Sequence, residues 1–252
     1  MPVGDRHPYL DVETPIAFAH RGGLSAHPEN TLPAFEHAVG LGYRYLETDV
    51  HATADGVLVA FHDEDLRRTC GIDAEIGDLS WSEVSAALVD GVAPIPRMGE
   101  LLMRFPAARF NIDAKSDAAV DGLADLIDRT GTLDRVCAAS FSRRRLARLR
   151  RRLGPGLLTN LVSIEIGLLS ITGWLPDRVE RVAQVPPATN WYTLVTRRFV
   201  ASAHRRGIPV HVWTIDDPAE MHRLLDLGVD GIMTDRPEVL RDVYAERGIW
   251  PT

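Results

Sequence analysis

Cysteine is nearly absent from this chain. Two residues in 252, Cys70 and Cys137, cannot build a disulfide framework, and their spacing fits no metal motif, so both read as reduced packing residues. No apolar run reaches the ~20 residues of a membrane span; the most apolar stretch, Leu161 to Leu175, is shorter and carries Glu165. The amino terminus, Met1 to Pro8, lacks the charged-then-apolar order of a secretory signal, which makes cytoplasmic residence the expectation. Positive charge is also in deficit, with 28 Lys and Arg against 35 Asp and Glu and a formal net charge of −7. That balance speaks against a general nucleic-acid binder, because phosphate backbones require a basic face. The local exception is Phe141 to Leu153, where seven arginines surround Leu146, Leu149 and Leu153 at helical spacing. It reads as a surface helix with a solvated basic face in preference to a site for an anionic membrane or nucleic acid. Glycine-rich nucleotide fingerprints, internal repeats and low-complexity segments are lacking too. The expected partner is a small molecule, and nothing in the sequence bears on oligomeric state.

What is present is an alternation of short β-rich runs with amphipathic helical patterns. Runs at 16–19, 43–50, 57–61, 109–115, 135–140, 157–161, 180–185, 208–214 and 231–234 are interleaved with helical patterns at 32–41, 98–105, 117–130, 142–153, 163–170, 196–206, 217–227 and 237–246. About eight βα units in a chain of this length predict a single-domain α/β protein, a (β/α)8 TIM barrel. A doubly wound sheet is the alternative. It lacks its nucleotide turn, and polar residues recur at several strand ends, as a barrel mouth requires. The domain plan is an N-terminal tail, 1–14, that covers one end of the fold; the barrel, 15–247, with a short insertion at 63–97 after the third strand; and a C-terminal tail, 248–252.

The strand ends carry the chemistry. Side chains alternate along a strand, so Glu47 and Asp49 share the inward face of Tyr43 to Val50 while Leu46, Thr48 and Val50 face outward. Two adjacent inward carboxylates repel unless a cation lies between them, and a hard divalent ion suits them. An Arg or Lys partner inside the barrel is the less favoured alternative. Asn111, Asp113 and Lys115 repeat the pattern, giving either a third oxygen ligand with a phosphate-facing lysine or a buried Asp–Lys pair. His20 closes the first strand before Arg21-Gly22-Gly23, whose glycines let backbone approach a ligand, and His62 closes the third. Two strand-end imidazoles flanking a carboxylate-bearing strand suit proton transfer near neutral pH. Asn30 or Thr31 is expected to cap the following helix, and Trp213 to wall an apolar or cationic part of a substrate or to close the core. The other histidines read as structural or surface residues.

Seven pieces in order, His20-Arg-Gly-Gly23, Pro28-Glu-Asn-Thr31, Glu47-Thr-Asp49, His62-Asp63 with Leu66-Arg-Arg-Thr69, Asn111-Ile-Asp-Ala-Lys115, Val212-Trp-Thr214 and Gly228 to Asp235, resemble the glycerophosphodiester phosphodiesterase family over about residues 16–240. The resemblance implies a barrel and one divalent cation, Mg2+ or Ca2+. It implies hydrolysis of small glycerophosphodiesters from deacylated phospholipids to glycerol 3-phosphate and an alcohol. It assigns His20 and His62 to acid/base catalysis and Glu47, Asp49 and Asp113 to the metal; Arg21, Lys115 and Trp213 are then the expected substrate-binding residues. The sequence departs from the family in having Asp113 where many members carry Glu, and in a short segment after His62 without an aromatic-rich tract. Alternatives are a lysophospholipid or sphingolipid phosphodiesterase with the same site, a non-catalytic phosphodiester-binding barrel, and a metal-dependent aldolase or isomerase.

Overall fold

The computed structural model describes residues 7–12, 15–175 and 181–250. Eight parallel strands close on themselves: β1 (Ile16–Ala19), β2 (Tyr45–Ala52), β6 (Arg109–Ala114), β7 (Val136–Ala139), β8 (Leu158–Asn160), β9 (Arg181–Val185), β10 (Val210–Val212) and β11 (Gly231–Thr234), with β1 paired to both β2 and β11. This is the TIM barrel that the alternating pattern predicts. Outside it lie α1 (Leu32–Gly40), α4 (Met98–Arg104), α5 (Ala119–Thr130), α6 (Arg143–Leu153), α7 (Ser163–Thr172), α8 (Arg197–His204), α9 (Pro218–Leu227) and α10 (Pro237–Glu246). Local chemistry fixes several helix starts: the Ser142, Thr196 and Asp217 side chains accept from the free main-chain N–H groups of α6, α8 and α9. Outward residues such as Leu46, Val50, Ile112 and Ala114 join the helices in the main apolar core. Tyr45, Cys137 and Leu158 pack inside the barrel with Phe18 and Met233.

One strand departs from the expected plan. The run at 57–61 forms β3 (Leu58–Ala60), which pairs antiparallel with β2 and stands outside the parallel barrel. Periodicity reports which face a side chain takes but not strand direction; the direction signal is Asp55-Gly56 in the connection, where Gly56 has φ +80°. After β3, α2 (Arg67–Cys70), α3 (Trp81–Val84) and the two-stranded ribbon β4 (Leu88–Val89) and β5 (Ala93–Pro94) enclose a small core of their own, including Phe61, Leu66, Ile76 and Val84. The arginines of α6 also differ from a freely solvated face. Arg145, Arg148 and Arg152 are ion-paired with Asp117, Asp121 and Asp125 on and before α5, while Leu146 and Leu149 are buried.

The bottom of the barrel is stoppered by the chain's own start. Tyr9 is fully buried, its ring meets Tyr45 edge-on at 5.2 Å, and the Tyr45 hydroxyl donates to the Tyr9 carbonyl at 2.5 Å. Residues 7–12 thus cover one end; of the expected tails, 1–6, 13–14 and 251–252 lie outside the described residues.

His211 of β10 sits in this lower interior, completely buried, 5.0 Å from the Phe18 ring, with neither ring nitrogen hydrogen-bonded among the described residues. Burial, opposed only by the nearby Asp230, pushes its pKa down to about 4. The unfolded chain therefore binds a proton at a higher pH than the folded one. Stability from this group is present above pH ~6.5 and lost as pH falls toward 4, by about 2 kcal/mol between pH 7 and pH 5. His211→Leu is expected to flatten this part of the acid dependence. Urea unfolding of both proteins at the two pH values checks it, and equal pH dependence would refute the assignment.

Candidate active site

At the opposite, C-terminal mouth lies a cavity of about 490 Å³ that brings together His20, Arg21, Glu47, Asp49, His62, Asp113, Lys115 and Trp213. Every residue singled out from the sequence as a site residue lines it. Glu47 and Asp49 point inward side by side from β2, and β6 lies in register beside it with Asp113 opposite Asp49. All three carboxylates are buried.

Such a cluster needs positive charge, and the chain supplies two cations. Lys115 Nζ lies 2.9 Å from both Asp49 Oδ1 and Asp113 Oδ2, the Asp–Lys pairing that was one of the two readings of β6. Arg21 directs its main-chain N–H to Glu47 at 3.1 Å, one guanidinium nitrogen to Glu29 at 3.0 Å and Nε toward Asp49 at 3.3 Å. Burial works against ionisation of Asp49, but Lys115, Arg21 and His62 overcome it and lower its pKa. Burial also works against the charge on Lys115, which Asp49 and Asp113 nonetheless hold above the usual lysine range. Glu47 fares differently. Burial and then Asp49 push its pKa up to about 7 against the pull of His20, Arg21 and Lys115. Among the described residues no three His, Cys, Asp or Glu side chains stand ready-made as a metal cluster, and Lys115 bridges Asp49 and Asp113.

Each histidine is oriented by a carboxylate. His20 Nδ1 bonds Asp235 Oδ1 at 2.6 Å, leaving Nε2 toward Glu47 at 3.7 Å. Burial opposes protonation of His20, but Glu47 and Asp235 prevail and raise its pKa. His62 Nδ1 bonds Asp63 Oδ1 at 2.6 Å. His62 reaches the mouth by the β2–β3 hairpin: Val50 pairs with Ala60, and the Phe61 N–H donates to the Asp49 carbonyl at 3.0 Å, so the returning chain lies beside the carboxylate strand. It does not end a barrel strand, but the antiparallel return gives it the same access.

Asp235, Asp63, Glu29 and Arg68 were not assigned roles from sequence. Arg68 Nε donates to Asp63 and its terminal nitrogens to Glu29, each of the shorter contacts being 2.5 Å, so one guanidinium joins the orienter of His62 to the acid that holds Arg21. The Glu29 and Asp63 carboxyls are lowered by these partners despite burial. The capping expectation for Asn30 or Thr31 holds in position, at Thr31, but not in side-chain bonding. Thr31 occupies the N-cap position of α1 but its hydroxyl donates to the Pro28 carbonyl, and Asn30, at φ +55°, bonds Asp49 and accepts from Thr48. The glycines after Arg21 serve close packing within the protein. A Cβ on Gly22 would come within 2.9 Å of the Ala34 backbone, and one on Gly23 within 2.6 Å of the Pro237 ring.

The sequence profile of the Glycerophosphoryl diester phosphodiesterase family matches residues 20–239, a span that runs from one of these histidines to α10. The chain belongs to that family. It is a phosphodiesterase. A Mycobacterium tuberculosis protein named "Probable glycerophosphodiester phosphodiesterase 2" is 38% identical over 93% of this chain and 92% of its own length. Human "Lysophospholipase D GDPD1" is 29% identical, covering 89% of this chain and 84% of the human protein. Among solved structures, a glycerophosphodiester phosphodiesterase from Thermotoga maritima superposes with a TM-score of 0.72 at 26% identity, over 92% of this chain and 99% of that one. One from Agrobacterium tumefaciens has a TM-score of 0.76 at 24% identity over 90% and 99% of the two chains, a likeness of fold.

For this family member the Asp235–His20 contact generates a prediction. Asp235→Ala is expected to lower kcat on the order of 10²-fold or more with KM little changed, since an unheld imidazole samples wrong orientations. Asp235→Asn retains an oxygen acceptor for Nδ1–H and is expected to recover part of the loss. Steady-state kinetics on both variants decides, and wild-type kcat in the alanine variant would show that His20 needs no holder.

Proposed function

We propose that this chain hydrolyses glycerophosphodiesters to glycerol 3-phosphate and an alcohol, with His20 and His62 as the acid/base pair. The observation that carries the reading is the matched treatment of the two imidazoles. Each is tied at Nδ1 to a carboxylate, and both line the cavity that holds the buried acids and cations. A ring held at Nδ1 presents Nε2 for proton transfer in a fixed orientation.

The donor set suits a hard cation. Glu47, Asp49 and Asp113 offer carboxylate oxygens at one mouth, and Glu47, crowded by burial and Asp49, has the Arg21 main-chain N–H and a more distant His20 imidazole as its direct contacts among the described residues, with Arg21 and Lys115 acting at longer range. A divalent ion such as Mg2+ or Ca2+, held by these three residues, would supply charge neutralisation for the phosphoryl oxygens. Arg21 and Lys115 line the same cavity and place positive charge toward a bound phosphodiester. One histidine accepts the proton of the attacking hydroxyl while the other donates a proton to the departing alcohol oxygen, each step worth ~10²–10⁴ in rate. When the attacking group is the substrate's own glycerol hydroxyl, phosphorus gains that oxygen and loses the alcohol; water then opens the cyclic phosphate. Trp213, edge-on to Phe141 at 6.0 Å, walls the substrate side of the cavity. Cytoplasmic residence belongs to the same reading, and among the described residues no helix is long and apolar enough to cross a membrane.

His20→Ala and His62→Ala are each expected to lose about 10²-fold or more of turnover on glycerophosphocholine while keeping the wild-type circular dichroism spectrum. Near wild-type turnover in either variant removes that residue from the mechanism. Dialysis against EDTA is expected to abolish activity, with Mg2+ or Ca2+ restoring it; full turnover with no metal by elemental analysis would refute the cation. An analogue lacking the glycerol hydroxyl next to the phosphate is expected to be inert, because that group gains the large effective concentration of an intramolecular nucleophile. Comparable turnover of the analogue, with no cyclic phosphate in the phosphorus NMR spectrum, would assign the attack to water.

A further inference from the structure

Beside the mouth, the sector built by the chain after β7, β8 and β9 has a surface unlike the rest of this acidic protein. α7 begins here, and in Ser163–Thr172 its one charged residue is Glu165, which is turned back onto Arg181 and the Val162 N–H. Its Ile164 is 73% exposed, Ile171, on the same face two turns on, is 76% exposed, and Trp191 in the loop after β9 is 92% exposed. Phe141, also exposed, stands after β7 on the cavity rim. Scattered exposed apolar residues are ordinary, but three large ones around one opening, Ile164, Trp191 and Phe141, beside a helix that is apolar on both faces, are a surface built to meet something apolar.

The charge of the same sector indicates what. α6 and α8 open at this end of the barrel with Arg143-Arg144 and Arg197-Arg198. All four are exposed, and none has a salt bridge or hydrogen bond among the described residues. Neither helix has an acid in its first turn. Cations at a helix N-terminus oppose the dipole, so these pairs weaken their own helices while concentrating positive potential around the mouth. The remaining arginines of α6 that pair with α5 point away into a neutralised helix interface.

We propose that this sector is a docking face for an anionic lipid bilayer, with Trp191 and Ile164 entering the interface and Arg143, Arg144, Arg197 and Arg198 meeting the lipid phosphates. Trp191 suits either a lipid interface or base stacking, but the exposed Ile164 and Ile171 favour the lipid surface, because nucleic acid takes the charge and has no use for aliphatic side chains. Docking here turns the cavity toward the membrane, where phosphodiesters carrying acyl chains reside. It stands apart from the acid/base assignment, because binding is read without turnover.

The test is sedimentation of the full chain with phosphatidylcholine vesicles, with and without phosphatidylserine. Wild-type protein is expected to bind the anionic vesicles and to be released by salt. Reversal of the four arginines to glutamate is expected to weaken binding at least tenfold, given about fivefold per basic residue at an anionic surface. Trp191→Ser with Ile164→Ser is expected to weaken it several-fold at unchanged charge. None of these six side chains lines the cavity, so both variants are expected to keep wild-type turnover of a water-soluble glycerophosphodiester, which also reports their folding. The proposal is overturned if the wild-type chain ignores anionic vesicles, if the serine variant binds as tightly as wild type, or if an RNA homopolymer is bound in their place.

Discussion

The arrangement at the mouth follows from placing Glu47 and Asp49 next to one another on the inward face of a barrel strand. Two buried carboxylates with Asp113 in register across from Asp49 are costly unless charges of the other sign are held close by. Arg21 is brought in by a turn with three consecutive residues at positive φ, Arg21, Gly22 and Gly23, and Lys115 by the end of β6. Asn30 gives its amide to Asp49, and Glu29 restrains Arg21 through a second ion pair that continues to Arg68. The compensation is uneven, and it leaves Glu47 poorly served. That imbalance is the physical basis for expecting a cation there, more than the count of acids alone.

Both histidines are incorporated into the same electrostatic system while arriving by different routes. His20 comes at the end of β1 and is held by an acid 215 residues away, beyond β11, which works only because the barrel closes and makes its first and last strands neighbours. His62 comes from a hairpin that leaves the barrel and folds back against β2, with the insertion's own small core behind it and Arg68 tying that insertion to the mouth. The parallel barrel therefore positions one imidazole directly and the other through an appended element. Changes in the insertion are expected to reach catalysis through Asp63 and Arg68 without touching the barrel.

The apolar, basic sector around α7 complicates the picture of an enzyme for small soluble diesters. A docking face of the kind proposed beside the cavity would suit substrates drawn from a lipid surface. The proposed acid/base pair would be the same in either case, because the reacting phosphodiester is the same; the sector would govern where the substrate is collected.

The sequence alone determined the barrel, through the alternation of β-rich and 3.6-periodic segments, and it placed Glu47, Asp49, Asp113 and Lys115 on inward faces, because strand alternation is a local geometric rule. Residue types and strand ends likewise marked His20 and His62. What it could not determine were relations that depend on closure and direction. Asp235 meets His20 because the sheet closes, β3 runs antiparallel because its connection is a hairpin, and Arg68 reaches Glu29 because the insertion packs back on the mouth. Whether Asp113 faces a lysine or a cation was open in the sequence as well, since both suit an inward carboxylate; the fold resolved part of it by setting Lys115 Nζ 2.9 Å from two acids. Local periodicity encodes the face a side chain takes, while the partner it meets across the barrel is decided only when distant segments are brought together.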